Sequence, residues 1–164
     1  MSFLNRQLDR DAAFRLALTV GVAILIVDQI TKNWARDMFQ DAPVEVIGDW
    51  LRFTYAQNPG AAFSSFAGAG QIIGLIAVGV TIFLLFLVAR TTRWLELVAL
   101  GLILGGAMGN LSDRVFRGQG LLDGAVVDWI DWWFIPTFNV ADAALNVGVA
   151  VLLLAAMLTA RSHE

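Results

Sequence analysis

Two aspartates, Asp128 and Asp142, stand in hydrophobic surroundings with no basic residue within four positions of either. Carboxyls of this kind are a known way to hydrolyse an amide without a cofactor or metal. One, ionised, takes a proton from water while the other, protonated, polarises the scissile carbonyl, and their closeness separates the two macroscopic pKa values. Val126-Val127 and Trp129-Ile130 flank Asp128 with bulky apolar groups, and desolvation of that kind raises a carboxyl pKa. Asp28 and Asp113 suit the role less well. Lys32 and Arg114 lie close to them in sequence, and a neighbouring positive charge keeps a carboxylate ionised.

Further polar groups recur at spacings that place them together. Asp28 and Lys32, the only lysine, are one helical turn apart and can pair, which also fits an ordinary ion pair at a span end with Lys32 snorkelling to the interface. Asn58-Pro59-Gly60-Ala61-Ala62-Phe63-Ser64 is a turn followed by small residues, open to close approach by a backbone or ligand and equally readable as a loop leading into a helix. Asn110, Asp113 and Arg114 follow Gly101, Gly105 and Gly109, so a helix with a close-packing face carries a polar cluster at its end. Arg114 suits either a structural clamp or a catalytic role. Asn139, Asp142 and Asn146 share one helical stripe; Asn139 as N-cap and Asp142 as an acid of the first turn is the ordinary alternative.

The elements that must position these groups are membrane helices. With 164 residues and 58% hydrophobic content, the chain is one domain, well above the roughly 45–50% apolar content of soluble proteins. Charge-free stretches and the need for roughly 20 residues per crossing give four spans, at about 14–34, 72–89, 94–112 and 138–160. The first is read as a retained helix rather than a cleaved signal peptide, because Asp28-Gln29-Ile30 follows it instead of a small-residue cleavage site. Loops at about 35–71 and 113–137 are too long for bare connectors. Partial alternation over Val44 to Tyr55 predicts a short strand or hairpin, and Ala61 to Phe66 a brief interfacial helix. Trp129, Trp132, Trp133 and Phe134 form an aromatic patch of interfacial composition. The fold class is therefore an all-α four-helix membrane bundle with a small extracytoplasmic sheet.

The Arg90–Arg93 turn and the Arg-rich segment before the first span fall on the same side, placing both termini in the cytoplasm. Six basic residues lie there against five spread over the long loops opposite. At about 1.5 Å per helical residue, Asp113 is roughly 30 Å from Arg93, Asp142 roughly 28 Å from Arg161 and Asp28 roughly 20 Å from Arg15. The acids thus gather toward the outer face. Cysteine is absent, which excludes thiol nucleophiles and disulfides, and a net charge of -3 carries no nucleic-acid signal.

Five ordered blocks, DQITK (28–32), NPGAAFS (58–64), GGAMGNLSDR (105–114), VVDWI (126–130) and FNVAD (138–142), resemble those of the bacterial lipoprotein signal peptidase family, signal peptidase II, over nearly the whole chain. The resemblance implies an intramembrane aspartic endopeptidase of the bacterial inner membrane. It implies substrates that are prolipoproteins, cut before a diacylglyceryl-modified cysteine, and membrane lipids as further partners, with a monomer sufficient. On the matching positions, Asp128 and Asp142 become the catalytic dyad. Asp28, Lys32, Asn58, Gly60, Asn110, Asp113, Arg114 and Asn139 become supporting or substrate-contacting residues. Trp129 stands where Phe is usual in the family and Pro59 occupies a variable position; the larger indole is a candidate for reshaping the pocket wall.

Two other chemistries compete. A Ser-Lys dyad would use Ser64 or Ser112 with a neutral Lys32, and Asp28 one turn away argues against neutrality. A proton-coupled transporter would use the buried acids as a relay, but no inverted repeat is evident. The only histidine, His163, lies in the tail, which disfavours Ser-His and zinc mechanisms.

Overall fold

The computed structural model describes residues 6–60 and 69–160. The four helices are α1 (Arg10–Phe39), α2 (Ala69–Arg90), α3 (Trp94–Phe116) and α4 (Val140–Ala160). All four are long and apolar enough to cross a membrane, so the chain is a multi-pass membrane protein. The shortest, α4, has 21 residues, or about 32 Å of helix, which matches a bilayer's hydrocarbon thickness.

The helix in the middle of the bundle is α3. More than half of its apolar window, 56%, is buried, against 17–22% for the other three. The reason lies in its glycines. A Cβ on Gly101 would stand 2.8 Å from Ala17 O, and one on Gly105 only 2.6 Å from Gly21 O, so each glycine lets α1 approach backbone to backbone. The facing stripe of α1, Ala13, Ala17 and Gly21, is correspondingly small. On the outer surfaces Ile72, Leu75, Phe83, Leu153 and Met157 are exposed, as expected of side chains meeting lipid rather than water.

At one end of the bundle the basic segments are tied together. Leu8 N–H donates to Thr92 O (2.9 Å) and Trp94 N–H to Arg6 O (3.2 Å), while Arg93 pairs with Glu96 at 3.1 Å and donates to Thr159 of α4. The far end carries a four-stranded antiparallel sheet of β1 (Val44–Ile47), β2 (Leu51–Asn58), β3 (Val126–Trp132) and β4 (Ile135–Phe138), in that spatial order. The β2–β3 register sets Ala56 opposite Asp128 and Asn58 opposite Val126, with an irregularity between Phe53 and Ala56. The expected hairpin over Val44 to Tyr55 is β1–β2.

The structure differs from the sequence reading in two respects. The first helix runs from Arg10 to Phe39 rather than 14–34, because hydropathy registers the lipid crossing whereas charged turns extend a helix freely in water or headgroups. The aromatic segment from Trp129 to Phe134 is mostly strand, with a turn at Trp133-Phe134. Its Trp133 stacks on Trp50 (ring centroids 4.7 Å apart) at the exposed tip, whereas Trp129 is buried. The expected helix at Ala61 to Phe66 lies outside the described residues, as does Ser64.

Candidate active site

Asp142 is positioned by the first turn of α4. Asn139 is the residue before that helix; its Oδ1 accepts from Asp142 N–H (2.9 Å), and Asp142 Oδ2 accepts in return from Asn139 N–H (3.3 Å). This reciprocal capping satisfies amide donors that a helix start otherwise leaves open. The ordinary helix-start reading of Asn139 and Asp142 and the site reading therefore describe the same atoms. Asp142 Oδ1 is left to accept from Asn110 Nδ2 of α3 at 2.8 Å.

Asp128 is positioned by the sheet. Alternate residues of a strand share a face, so Asn58 and Ala56 of β2 present the same side toward β3, and Asn58 Nδ2 donates to Asp128 Oδ2 at 3.1 Å. Gly60 N–H donates to Asn58 Oδ1 (2.9 Å), closing a turn that places Gly60 at φ +105, a conformation that favours glycine. Asp128 Oδ1 accepts from Asn139 Nδ2 at 2.7 Å. One asparagine therefore contacts both carboxyls, through its amide at Asp128 and its backbone at Asp142. Burial pushes the Asp128 carboxyl up to about 6; the nearby Asp142 charge adds to the rise, and the Asn58 and Asn139 hydrogen bonds oppose it.

Both carboxyls line one cavity of about 360 Å³. Asn58, Asn110 and Arg114 share its polar side, while Ile73, Ile76 and Val80 of α2 and Leu145 of α4 make an apolar wall. Arg114 is buried, and among the described residues its guanidinium donates through Nη1 to Gly124 O at 3.4 Å.

Behind the cavity lies an ion cluster. Lys32 is fully buried, at 0% exposure, so it does not snorkel; its Nζ lies 2.8 Å from both Asp28 Oδ2 and Asp113 Oδ2 and donates to Asn110 Oδ1 at 2.9 Å. Three N–H bonds meet three acceptors. An ammonium held this way has no role as the neutral base of a Ser-Lys dyad. Asp113 pairs with Lys32 and with Arg117 at 2.8 Å rather than with its neighbour Arg114, because successive helical residues point apart and residues four apart point together. The two carboxylates also grip backbone: Asp28 Oδ1 accepts from Ala141 N–H (2.9 Å) and Asp113 Oδ2 from Val127 N–H (3.1 Å). Each gripped amide belongs to the residue immediately before one of the two cavity aspartates.

The sequence reading missed two members of this cluster. Gln29 Nε2 bonds Asp28 Oδ2, Gly109 O and Asp113 Oδ1 at 3.1–3.2 Å; it lies inside the DQITK block (28–32), where only Asp28 and Lys32 carry charge. Arg117 was findable, since it follows Asp113 by one helical turn. Asn146 donates to Asp142 O (2.9 Å) and is exposed. Trp129 does not line the cavity. It packs with Ala35 and Phe39 and edge-on to Trp34 and Phe53, and its Nε1 has no hydrogen-bond partner among the described residues, so a phenyl ring would serve the packing without that orphaned donor.

Residues 20–158 match the family described as Signal peptidase (SPase) II. The chain is 45% identical over 144 residues to a lipoprotein signal peptidase of Mycolicibacterium smegmatis, covering 86% of this chain and 60% of that protein. It is 44% identical over 142 residues to one of Mycobacterium avium, covering 85% and 76%. A solved bacterial membrane enzyme superposes with a TM-score of 0.74 at 31% identity over 90% of each chain. A second such structure gives 0.73 at 32% over 85% of this chain and 90% of that one.

Proposed function

Since the chain belongs to the signal peptidase II family, we propose that it is an intramembrane aspartic endopeptidase that removes signal peptides from diacylglyceryl-modified prolipoproteins, cutting before the lipid-modified cysteine. The observation that carries this reading is the joining of two carboxyls, Asp128 and Asp142, neither in a salt bridge among the described residues, through Asn139 in one cavity. The cavity's apolar wall on α2, with Ile76 exposed beyond it, suits a substrate whose signal helix and acyl chains lie in lipid, entering sideways between α2 and α4.

In this reading Asp128, whose pKa is raised, holds the proton that polarises the scissile carbonyl, and Asp142, facing N–H donors, accepts. The water oxygen bonds the carbonyl carbon as its proton passes to Asp142 and the Asp128 proton passes to the carbonyl oxygen. The C–N bond then breaks while Asp142 delivers its proton to the leaving nitrogen and Asp128 recovers one from the diol. Arg114 at the cavity side is suited to hold a substrate carbonyl. No step requires a metal or cofactor.

The clustering of arginines at the end opposite the sheet supports cytoplasmic termini and a site toward the outer face of the inner membrane. One copy contributes both carboxyls, so a monomer suffices. The test is cleavage of a diacylglyceryl-modified precursor by purified protein, with and without chelator. Asp128→Asn and Asp142→Asn are each expected to lower the rate by at least about a thousandfold, with no effect of chelator; normal cleavage by either variant removes the assignment.

A further inference from the structure

Every asparagine that donates to the two cavity carboxyls has its amide oxygen occupied by a donor. Asn58 Oδ1 accepts from Gly60 N–H and Asn139 Oδ1 from Asp142 N–H, both backbone groups with one fixed role. Asn110 differs. Its Oδ1 is held most closely by the ammonium of Lys32 at 2.9 Å, with Asn139 Nδ2 a longer donor at 3.2 Å, and its Nδ2 then points to Asp142 Oδ1 at 2.8 Å.

We propose that Lys32 is a positioning residue for Asp142, acting through Asn110. The inference rests on the reading of Asp128 and Asp142 as the reacting pair. An amide can present either end to a carboxylate, and only the nitrogen end attracts it. An ammonium has donors and no acceptor, so Lys32 fixes the oxygen of Asn110 on its own side and the NH₂ on the side of Asp142. Charge balance alone does not call for this arrangement. Asp28 and Asp113 already lie 2.8 Å from Nζ, and the third N–H is spent on the one side chain that reaches the cavity. The two ion-paired acids hold Lys32 in place, and burial at 0% exposure excludes water that would otherwise compete for Asn110.

Without the ammonium, the Asn110 oxygen keeps only the 3.2 Å contact from Asn139 Nδ2, a donor shared with Asp128 Oδ1 and Val127 O, so Asn110 is held weakly and can turn its oxygen toward the carboxylate it now supports. A misplacement of about 1 Å in a reacting group can cost about a hundredfold in rate. Two variants test the idea in the full chain, purified in detergent and assayed on a diacylglyceryl-cysteine peptide. Lys32→Met removes the ammonium, leaving buried Asp28 unbalanced and Asp113 with Arg117 alone; Lys32→Met/Asp28→Asn removes one charge of each sign. The balanced variant is expected to melt near wild type, with kcat reduced about a hundredfold, KM changed less than threefold, and the acid limb of the kcat/KM profile displaced to higher pH. Added to Asn110→Ala, the same pair of changes should cost almost nothing more, since the route through Asn110 is already gone.

Wild-type kcat in the folded balanced variant overturns the proposal. So do losses that multiply fully with Asn110→Ala, or early melting of both Lys32 variants, which would make Lys32 a folding residue. Asp128→Asn and Asp142→Asn run in parallel: if those two are active, the peptidase reading itself fails, whereas inactivity in them beside an active balanced variant sinks only the role of Lys32.

Discussion

Replacing Asp128 by Asn should stabilise the protein while abolishing its activity. The carboxyl titrates near 3.8 when free and near 6 in place, chiefly because of burial. Keeping it ionised at neutral pH therefore costs the fold about 3 kcal/mol. Asn removes that cost but offers an NH₂ to one of the two donors, Asn58 or Asn139, that now face carboxylate oxygens, a loss of about 1 kcal/mol. The net gain is about 2 kcal/mol, or a rise in Tm of roughly 4–8 °C for a chain of this size.

The sign with pH follows from the raised value. A carboxyl whose folded pKa exceeds its unfolded one binds protons more tightly in the native state, so wild-type stability falls as pH rises from about 4 to about 6 and is level above. The advantage of Asn should thus be full above pH 6 and fade toward pH 4. Thermal melts followed by tryptophan fluorescence, with six tryptophans in the chain, measure it directly in detergent across that range. An Asn variant that melts at or below wild type at pH 7.5, or a difference that does not shrink on acidification, refutes the argument.

On the proposed mechanism, in which Asp128 acts protonated, activity should decline as pH rises through its titration, and the decline in kcat should begin at higher pH than that in kcat/KM, since bound substrate excludes further water; pH–rate profiles for the two constants check the order. Asn139→Leu should lower stability by about 1–2 kcal/mol through loss of the α4 cap and also remove the Asp128 donor, seen as a lower Tm together with activity below detection. Gly105→Val should destabilise by roughly 1–3 kcal/mol, because even a Cβ would sit 2.6 Å from Gly21 O; a melting temperature unchanged from wild type would count against close α1–α3 contact.

The spans and the gathering of acids were legible because hydropathy and the 1.5 Å helical rise are properties of sequence alone. Asp128 and Asp142 stood out for lacking nearby bases. The burial of Lys32 was not legible: a lysine at a helix end reads as snorkelling, and only tertiary packing brings Asp113, 81 positions along the chain, to its ammonium. Trp129 was misread for a related reason, since composition marks tryptophan as interfacial without telling which face of a strand it occupies. β3 and β4 were hidden by the same aromatic residues, which suit strands and headgroups alike.

The double use of Asp142 has a consequence for how the cavity forms. Its side chain closes the opening turn of α4 by accepting from Asn139 N–H, so the rotamer that aims it at the cavity is selected when that turn winds. Orientation of this group is inherited from folding rather than acquired when a guest arrives. Fraying of a single helical turn would loosen the carboxylate and the asparagine between the two acids together.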